Sequence, residues 1–175
     1  MNYNKEQEIE IKTIKERSIT LNLSDADCER IAEKAGKHGL TIGKLLENFI
    51  GDLVSGTYSN GSDERMYANK WFERCWFGMF PEENLLKHLL EYGHDIDDFI
   101  TVYDELKYYG KNPEEFSEQL ELAKEKGEEM LWFEREYHDY IDEFMKNNEN
   151  ADLEKEIELC RKWLIDIQKI KGEKE

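Results

Sequence analysis

The sequence contains one β-strand pattern and no second strand for it to pair with. In residues 17–23, Ile19, Leu21 and Leu23 alternate with polar residues, which is the period-two pattern of a strand with one buried face. Long helical patterns dominate the rest of the chain. A lone strand leaves its backbone N–H and C=O groups unpaired. The pattern therefore predicts a strand that pairs antiparallel with the same strand of a second copy.

Two short helices are predicted directly after this strand. Ser24 is placed to cap the first helix, and Gly39 is placed to end it. Thr41 is placed to cap the second helix, in which neighbouring apolar pairs repeat every four residues up to Val54. One strand and two helices form too small a core to stand alone, which again favours a dimer.

The order strand, helix, Gly-containing turn, helix over residues 17–54 resembles the ribbon-helix-helix fold of bacterial and phage DNA-binding proteins. The resemblance implies a homodimer whose two-stranded ribbon enters the major groove, where outward side chains contact base edges. It also implies that the N-terminus of the second helix contacts a phosphate. The residues it assigns to DNA are Arg17, Ser18, Thr20, Asn22, Thr41 and Lys44.

The three outward ribbon positions carry neither Lys nor Arg, although DNA affinity depends strongly on basic contacts. We therefore expect weak or moderate binding to double-stranded DNA. The alternative is that residues 17–54 only dimerise the protein.

The charge of the chain changes near residue 57. Residues 1–56 hold 8 basic and 10 acidic side chains, whereas the remaining residues hold 16 and 31, so that the net charge of −17 is concentrated in the second part. The fold class predicted is mainly α, a ribbon-helix-helix followed by an acidic helical bundle. The predicted organisation is an N-terminal arm (1–16), the ribbon-helix-helix domain (17–56), a linker (57–62) and an acidic all-helical domain (63–175).

Three helical patterns in the second part lead to specific expectations. Aromatic residues step by four through residues 62–80, which predicts one helix with a wide face buried in a core. Asn112 and Glu115 form a predicted capping box for a helix that runs to about Asn147 and bends at Gly127. The last seam, between Leu153 and Ile167, is predicted to pack on the same bundle or on a partner chain.

A row of carboxylates is the clearest candidate for partner binding. It lies on the helix predicted between Asn112 and Asn147 and steps by 4, 3, 4 and 3 residues. Its members are Glu114, Glu118, Glu121, Glu125 and Glu128. Neighbouring carboxylates would lie roughly 4.5–6 Å apart along a helix axis. Such a row can imitate the phosphates of a nucleic acid and occupy the basic groove of a partner protein. The alternative is an ordinary solvated helix face, and Lys124 and Lys126 beside the row favour it.

The sequence offers no convincing catalytic or metal-binding motif, and we predict neither an enzyme nor a cofactor. Acidic residues next to His94, and Glu134 with His138 and Asp142, have spacings that metal sites use, but helix starts and solvated faces explain them better. Three dispersed cysteines and the lack of a membrane-spanning apolar run indicate a protein of the bacterial cytoplasm.

Two functions fit this organisation. The first is a phage or mobile-element protein whose acidic domain inhibits a nucleic-acid enzyme, similar in design to type II anti-CRISPR proteins that block an RNA-guided CRISPR nuclease. Such nucleases hold nucleic acids in basic channels. The second is a transcriptional repressor or antitoxin whose acidic domain binds a partner protein.

Overall fold

The computed structural model describes residues 3–172, and for Tyr3, Asn4 and Glu6 it describes the backbone alone. Ten α-helices account for most of these residues, which confirms the mainly α prediction. The chain divides into two compact units, Met1–Pro81 and Glu82–Glu175, called here the N-terminal unit and the acidic unit. Residues 1 and 2 of the predicted arm and residues 173–175 of the predicted acidic domain lie outside the described residues.

The N-terminal unit contains five helices. They are α1 (Tyr3–Lys12), α2 (Asp25–Gly36), α3 (Ile42–Leu53), α4 (Ser62–Arg74) and α5 (Trp76–Met79). Helix α3 packs against both α2 and α4.

The two predicted helix caps are confirmed. The hydroxyl of Ser24 accepts the backbone N–H of Asp27 at 3.2 Å, and the hydroxyl of Thr41 accepts that of Lys44 at 3.1 Å. Each bond satisfies an N–H group that has no partner inside the helix. Gly39 lies in the turn between α2 and α3 with a φ of +70°, a conformation that glycine adopts without strain.

The predicted strand at residues 17–23 is wrong for the single chain. Within the described range no residue is in a strand, and residues 18–23 form no backbone hydrogen bond with another described residue. The physical reason is that strand geometry is stabilised by a neighbouring strand, and residues 3–172 of one chain supply none. Ile19, Leu21 and Leu23 remain about half exposed.

The segment between α3 and α4 is held by a buried carboxylate. Asp52, 8% exposed, accepts the backbone N–H of Asn60 at 2.7 Å and its side-chain amide at 2.8 Å. The sequence predicted a linker at residues 57–62. In the structure this segment folds back on the end of α3 and places α4 against it.

The predicted single helix over residues 62–80 is wrong in two respects. It breaks at Cys75, whose backbone is extended, and the chain then turns back so tightly that a Cβ at Gly78 would lie 2.1 Å from the carbonyl oxygen of Phe72. Its aromatic side chains also do not lie in a core. Trp71 and Phe72 are nearly half exposed and Trp76 more so, whereas Ala68 is buried.

The N-terminal unit buries very little. Among its described side chains, only Ala35, Asp52 and Ala68 fall below a tenth of their full exposure. Two of the three are alanines, so this unit has almost no apolar core of its own.

The acidic unit contains five further helices and one 3₁₀ helix. They are α6 (Leu85–Glu91), α7 (Ile96–Lys111), the 3₁₀ helix Pro113–Phe116, α8 (Ser117–Glu125), α9 (Trp132–Asn147) and α10 (Leu153–Lys171). Helices α7 and α9 form the main pair, and α10 packs across α6 and α7. The seam of α10 therefore packs on the same bundle, one of the two expectations from the sequence.

This unit has a continuous core. Phe99 and Phe133 are fully buried, together with Leu85, Leu89 and Cys160. Aromatic rings meet mostly edge to face, and Phe133, for example, contacts Phe116 with the ring centres 5.7 Å apart. The core collects residues from every helix of the unit.

The predicted long helix from Asn112 to Asn147 is interrupted. Helix α8 ends at Glu125, Gly127 adopts a φ of +73°, and α9 begins at Trp132, so that Gly127 terminates a helix where a bend was expected. The predicted capping box is not formed either. The Asn112 amide donates to the carbonyl of Tyr108 at 3.1 Å, and Glu115 accepts the Tyr108 hydroxyl at 2.7 Å.

The division into units also differs from the sequence boundary. The charge change placed a boundary near residue 57, whereas α4 and α5 group with the N-terminal helices. The N-terminal unit then holds 11 basic and 13 acidic residues, and the acidic unit holds 13 and 28. None of the described helices combines the length and apolar composition that crossing a bilayer requires.

Asp52→Ala should destabilise the N-terminal unit by about 1–3 kcal/mol, because it leaves the N–H groups of Asn60 without their acceptor in a partly buried site. Urea unfolding followed by tryptophan fluorescence measures this in a background with Trp132 and Trp163 changed to Phe, since the remaining tryptophans lie in the N-terminal unit.

The matched control is Glu47→Ala, which removes an exposed carboxylate from the same helix and should change the unfolding midpoint little. Equal effects of the two variants would show that the Asp52–Asn60 contact contributes nothing.

Candidate nucleic-acid and partner interfaces

The residues that the sequence assigned to DNA lie in two places in the N-terminal unit. Ser18, Thr20 and Asn22 lie in the exposed segment before α2, and Thr41 and Lys44 lie at the start of α3. Arg17 precedes the segment, and its guanidinium donates to the carbonyl of Thr13 at 3.1 Å.

The start of α3 is partly committed to local contacts. The Thr41 hydroxyl holds the N–H of Lys44, and the Lys44 ammonium pairs with Glu47 at 2.7 Å. A phosphate at this helix start would still meet the positive end of the helix dipole. It would have to compete with Glu47 for the Lys44 ammonium, which limits the affinity this residue adds.

The predicted row of five carboxylates is not on one helix. Glu118, Glu121 and Glu125 share α8, whereas Glu114 lies in the 3₁₀ helix before it and Glu128 lies beyond the break at Gly127. All five side chains are exposed. The three on α8 keep the helical spacing of about 4.5–6 Å along the axis. A partner would therefore meet three carboxylates in a row on α8, with Glu114 before the start of this helix and Glu128 after its end.

The two sets of residues with metal-ligand spacing have structural roles. Asp95 caps α7 by accepting the N–H of Asp97 at 2.8 Å. Glu134 accepts the N–H of Leu131 at 2.8 Å at the start of α9, and His138 pairs with Asp142 at 3.0 Å. Among residues 3–172, no group of three or more His, Cys, Asp or Glu side chains is arranged to hold a metal ion.

An ion-pair network that the sequence did not predict joins α7 to α10. Glu154 accepts the Tyr103 hydroxyl at 3.0 Å and the Lys107 ammonium at 2.7 Å, while Arg161 pairs with both oxygens of Asp104. The hydrogen bond from Lys107, with that from Tyr103, lowers the pKa of the Glu154 carboxyl. These contacts span 47 to 57 residues, so no helical spacing could reveal them. The network fixes α10 and uses two of the few cations of the acidic unit.

Comparison with protein-family models, with curated proteins and with solved structures finds no match to this chain.

The three cysteines differ in chemical availability. Cys28 is exposed, Cys75 is half-buried, and Cys160 is fully buried in the core of the acidic unit. Burial, with the nearby Glu156 carboxylate, raises the pKa of the Cys160 thiol from 9.0 to about 11. Since the thiolate is the reactive form, Cys160 is inert in the folded protein.

In the Cys28→Ser, Cys75→Ser variant, Cys160 should react with a thiol reagent at pH 8 no faster than the protein unfolds. The label should become stoichiometric in urea. The thiol of Cys160 loses its proton at a lower pH in the unfolded chain, with a pKa of 9.0, than in the folded protein, with a pKa of about 11. The contribution of Cys160 to stability is therefore complete below pH 9 and falls as the pH rises towards 11. The rate of labelling is measured from the absorbance of the thiolate that a chromogenic disulfide reagent releases. Prompt labelling of the native variant at pH 8 would contradict the buried position.

Proposed function

We propose that the protein is a homodimer that contacts double-stranded DNA through a ribbon-helix-helix arrangement and binds a basic protein through its acidic unit. One observation carries the proposal, namely that the N-terminal unit leaves its apolar side chains exposed. Ile19, Leu21 and Leu23 are each more than half exposed, next to two capped helices that bury only Ala35 and Asp52. Packing against the N-terminal unit of a second copy would bury these side chains.

Antiparallel pairing of residues 18–23 from two chains would give partners to the unpaired backbone groups of this segment and would bury its exposed apolar side chains. The backbone N–H and C=O groups gain partners, and the period-two alternation places Ile19, Leu21 and Leu23 together on the helix side. Ser18, Thr20 and Asn22 then face outward. Asn can bond adenine in a paired contact, and Thr can contact a thymine methyl group. The outward face thus has the chemistry for base contacts.

The acidic unit supports the second part of the proposal. Its net charge of −15 is carried on a folded unit with a complete core, and its exposed α8 presents Glu118, Glu121 and Glu125 in a row. A rigid acidic surface is attracted to the basic channel of a nucleic-acid enzyme, such as an RNA-guided CRISPR nuclease. Inhibition by occupying that channel is the function we favour.

A repressor or antitoxin is the second candidate, and the side-chain types at the ribbon favour it. Thr20 and Asn22 suit sequence-specific base contacts, which a repressor needs at its operator. A large ratio of specific to nonspecific affinity would identify a repressor, whereas an inhibitor should bind duplexes with little preference.

Thr20→Ala with Asn22→Ala should keep the dimer but weaken binding to a preferred duplex, by about 1–3 kcal/mol for each lost base contact. Lys44→Ala should weaken binding to all duplexes and reduce the salt slope by about one. Fluorescence anisotropy with labelled duplexes measures both, after selection of a preferred sequence from a random pool. Sedimentation should give twice the 20.9 kDa of one chain for every variant.

Wild-type affinity in the Thr20, Asn22 double variant would show that the ribbon does not contact bases. A monomeric wild type would overturn the ribbon-helix-helix proposal itself.

Replacing Glu118, Glu121 and Glu125 with Gln should leave the fold intact, since Gln matches Glu in size and helix propensity. Affinity for the basic partner and its salt dependence should both fall, because the contribution of this row is electrostatic. The partner can be a purified RNA-guided nuclease, titrated between about 50 and 300 mM salt, with inhibition of DNA cleavage as a parallel readout.

A matched control changes Glu83, Glu136 and Glu149 to Gln, which removes the same charge from dispersed positions of the acidic unit. Equal losses in the two triple variants would mean that only net charge matters. No loss in the α8 variant would exclude the row as a binding surface.

A further inference from the structure

Helices α4 and α5 carry a patch of large apolar side chains that the N-terminal unit leaves exposed. Trp76 is 76% exposed, and the other members are between 44% and 54% exposed. We call this patch the aromatic surface. Its members are Trp71, Phe72, Trp76, Phe77, Met79 and Phe80.

The aromatic surface is held in shape by the fold. Trp71 and Phe72 on α4 both contact Phe77 on α5, with ring centres 6.2 Å and 5.2 Å apart, and Trp76 contacts Phe80 at 4.5 Å. The close return of the chain at Gly78 fixes α5 against the end of α4. The rings of Trp71, Phe72 and Phe77 thus form one contact group, and the rings of Trp76 and Phe80 form a second group close to it in the chain.

The aromatic surface also contacts helix α3. Trp71 meets Phe49 of α3 edge to face, with ring centres 5.2 Å apart. Ile50, the residue after Phe49, is 44% exposed, and Val54, directly after the end of α3, is 67% exposed. We call the aromatic surface, together with these exposed apolar residues that adjoin it through the Phe49–Trp71 contact, the strip.

The size of the strip indicates a partner of protein dimensions. A large aromatic side chain contributes about 150–250 Å² when fully buried, so six residues at about half exposure present about 600 Å². The largest apolar patch on a typical monomer is about 300–600 Å². A stable interface needs about 800 Å² from each partner. The aromatic surface together with the α3 face reaches that size.

The charge around the strip favours a second copy over a nucleic acid. Residues 57–81 hold three basic and three acidic residues, and the whole N-terminal unit has a net charge of −2. A nucleic-acid site needs an excess of positive charge, and a strongly basic protein would prefer the acidic unit. Two identical, nearly neutral surfaces meet without repulsion, and a two-fold axis brings the same surface of each chain together.

We infer that the aromatic surface is the outer part of the homodimer interface, packed against the N-terminal unit of the second copy. The inference rests on the dimer of the proposed function and extends the interface from the ribbon to α4 and α5.

The test compares dimer dissociation constants by sedimentation for three full-length proteins. Trp76→Ser with Phe80→Ser removes two rings that contact each other and leaves the α3–α4 packing untouched. We expect its dissociation constant to rise at least about tenfold, since ring burial provides much of the interface energy. The control is Trp132→Ser, which removes a half-exposed tryptophan, 49%, from the acidic unit and should match the wild type.

Fluorescence provides a second measurement, which leaves the aromatic surface itself unchanged. With Trp132 and Trp163 changed to Phe, emission comes from Trp71 and Trp76 alone. The emission should shift to longer wavelength when the protein is diluted to concentrations below the dissociation constant of the dimer, because these rings then become exposed to solvent. The reciprocal variant, with Trp71 and Trp76 changed to Phe, should show no shift.

Leu21→Lys separates this inference from the proposed function. If Leu21→Lys is monomeric while the Trp76, Phe80 variant dimerises like the Trp132 control, the aromatic surface lies outside the interface and the inference fails alone. If Leu21→Lys still dimerises and the Trp76, Phe80 variant does not, the ribbon proposal fails and the aromatic surface stands. Emission that stays constant while the mass halves overturns the inference. Loss of oligonucleotide binding with an unchanged dimer also overturns it, in favour of nucleic acid.

Discussion

Apolar burial is distributed very unevenly between the two units, and most features of the chain follow from this imbalance. Seventeen buried residues from all helices of the acidic unit form one cluster, whereas the described part of the N-terminal unit buries two alanines and an aspartate. Burying a Leu, Ile or Phe side chain fully contributes about 1.5–3 kcal/mol. The N-terminal unit forgoes this contribution at Leu21, Leu23 and Trp76. Capped helices and the Asp52–Asn60 contact define its shape, but they do not replace a core.

The charge distribution is the counterpart of the burial distribution. A net charge of −15 opposes compaction of the acidic unit, and its continuous core offsets that repulsion. Several of its cations are used internally, since Lys107 and Arg161 join α7 to α10. The acids of α8 are exposed. The unit with a continuous core is thus the strongly charged one, and the nearly neutral unit is the one with exposed apolar surface.

The sequence predicted local structure well where the determining contacts are local. Ser24 and Thr41 cap the helices as their side chains indicated, and Gly39 lies in the turn after the first of them. Predictions of helix boundaries failed where the backbone conformation or a contact between residues distant in sequence determines the structure. Gly127 ends a helix because the chain takes a left-handed conformation there. The helix over residues 62–80 breaks at Cys75, and Gly78 permits the close return of the chain because it has no Cβ to meet the carbonyl of Phe72.

The aromatic residues of α4 show a more general limit. Helical spacing identifies which side chains share a face, but it does not identify what covers that face. The same limit applies to residues 17–23, whose alternation identifies two faces but not what pairs with them. The residues of the candidate site therefore follow from the sequence as predictions, whereas the contacts that would complete the site do not.

In the proposed dimer, the acidity of the chain shapes DNA binding as well as partner binding. Each chain carries a net charge of −17, so approach to the phosphate backbone is repulsive at long range. Screening shortens that repulsion to about 10 Å at 0.1 M salt. Added salt therefore weakens the repulsion at the same time as it weakens phosphate contacts such as that of Lys44. Hydrogen bonds from Thr20 and Asn22 to bases depend little on salt by comparison. In the proposed arrangement nonspecific attraction to DNA is thus weak, and the acids of α8 are left available to a basic protein.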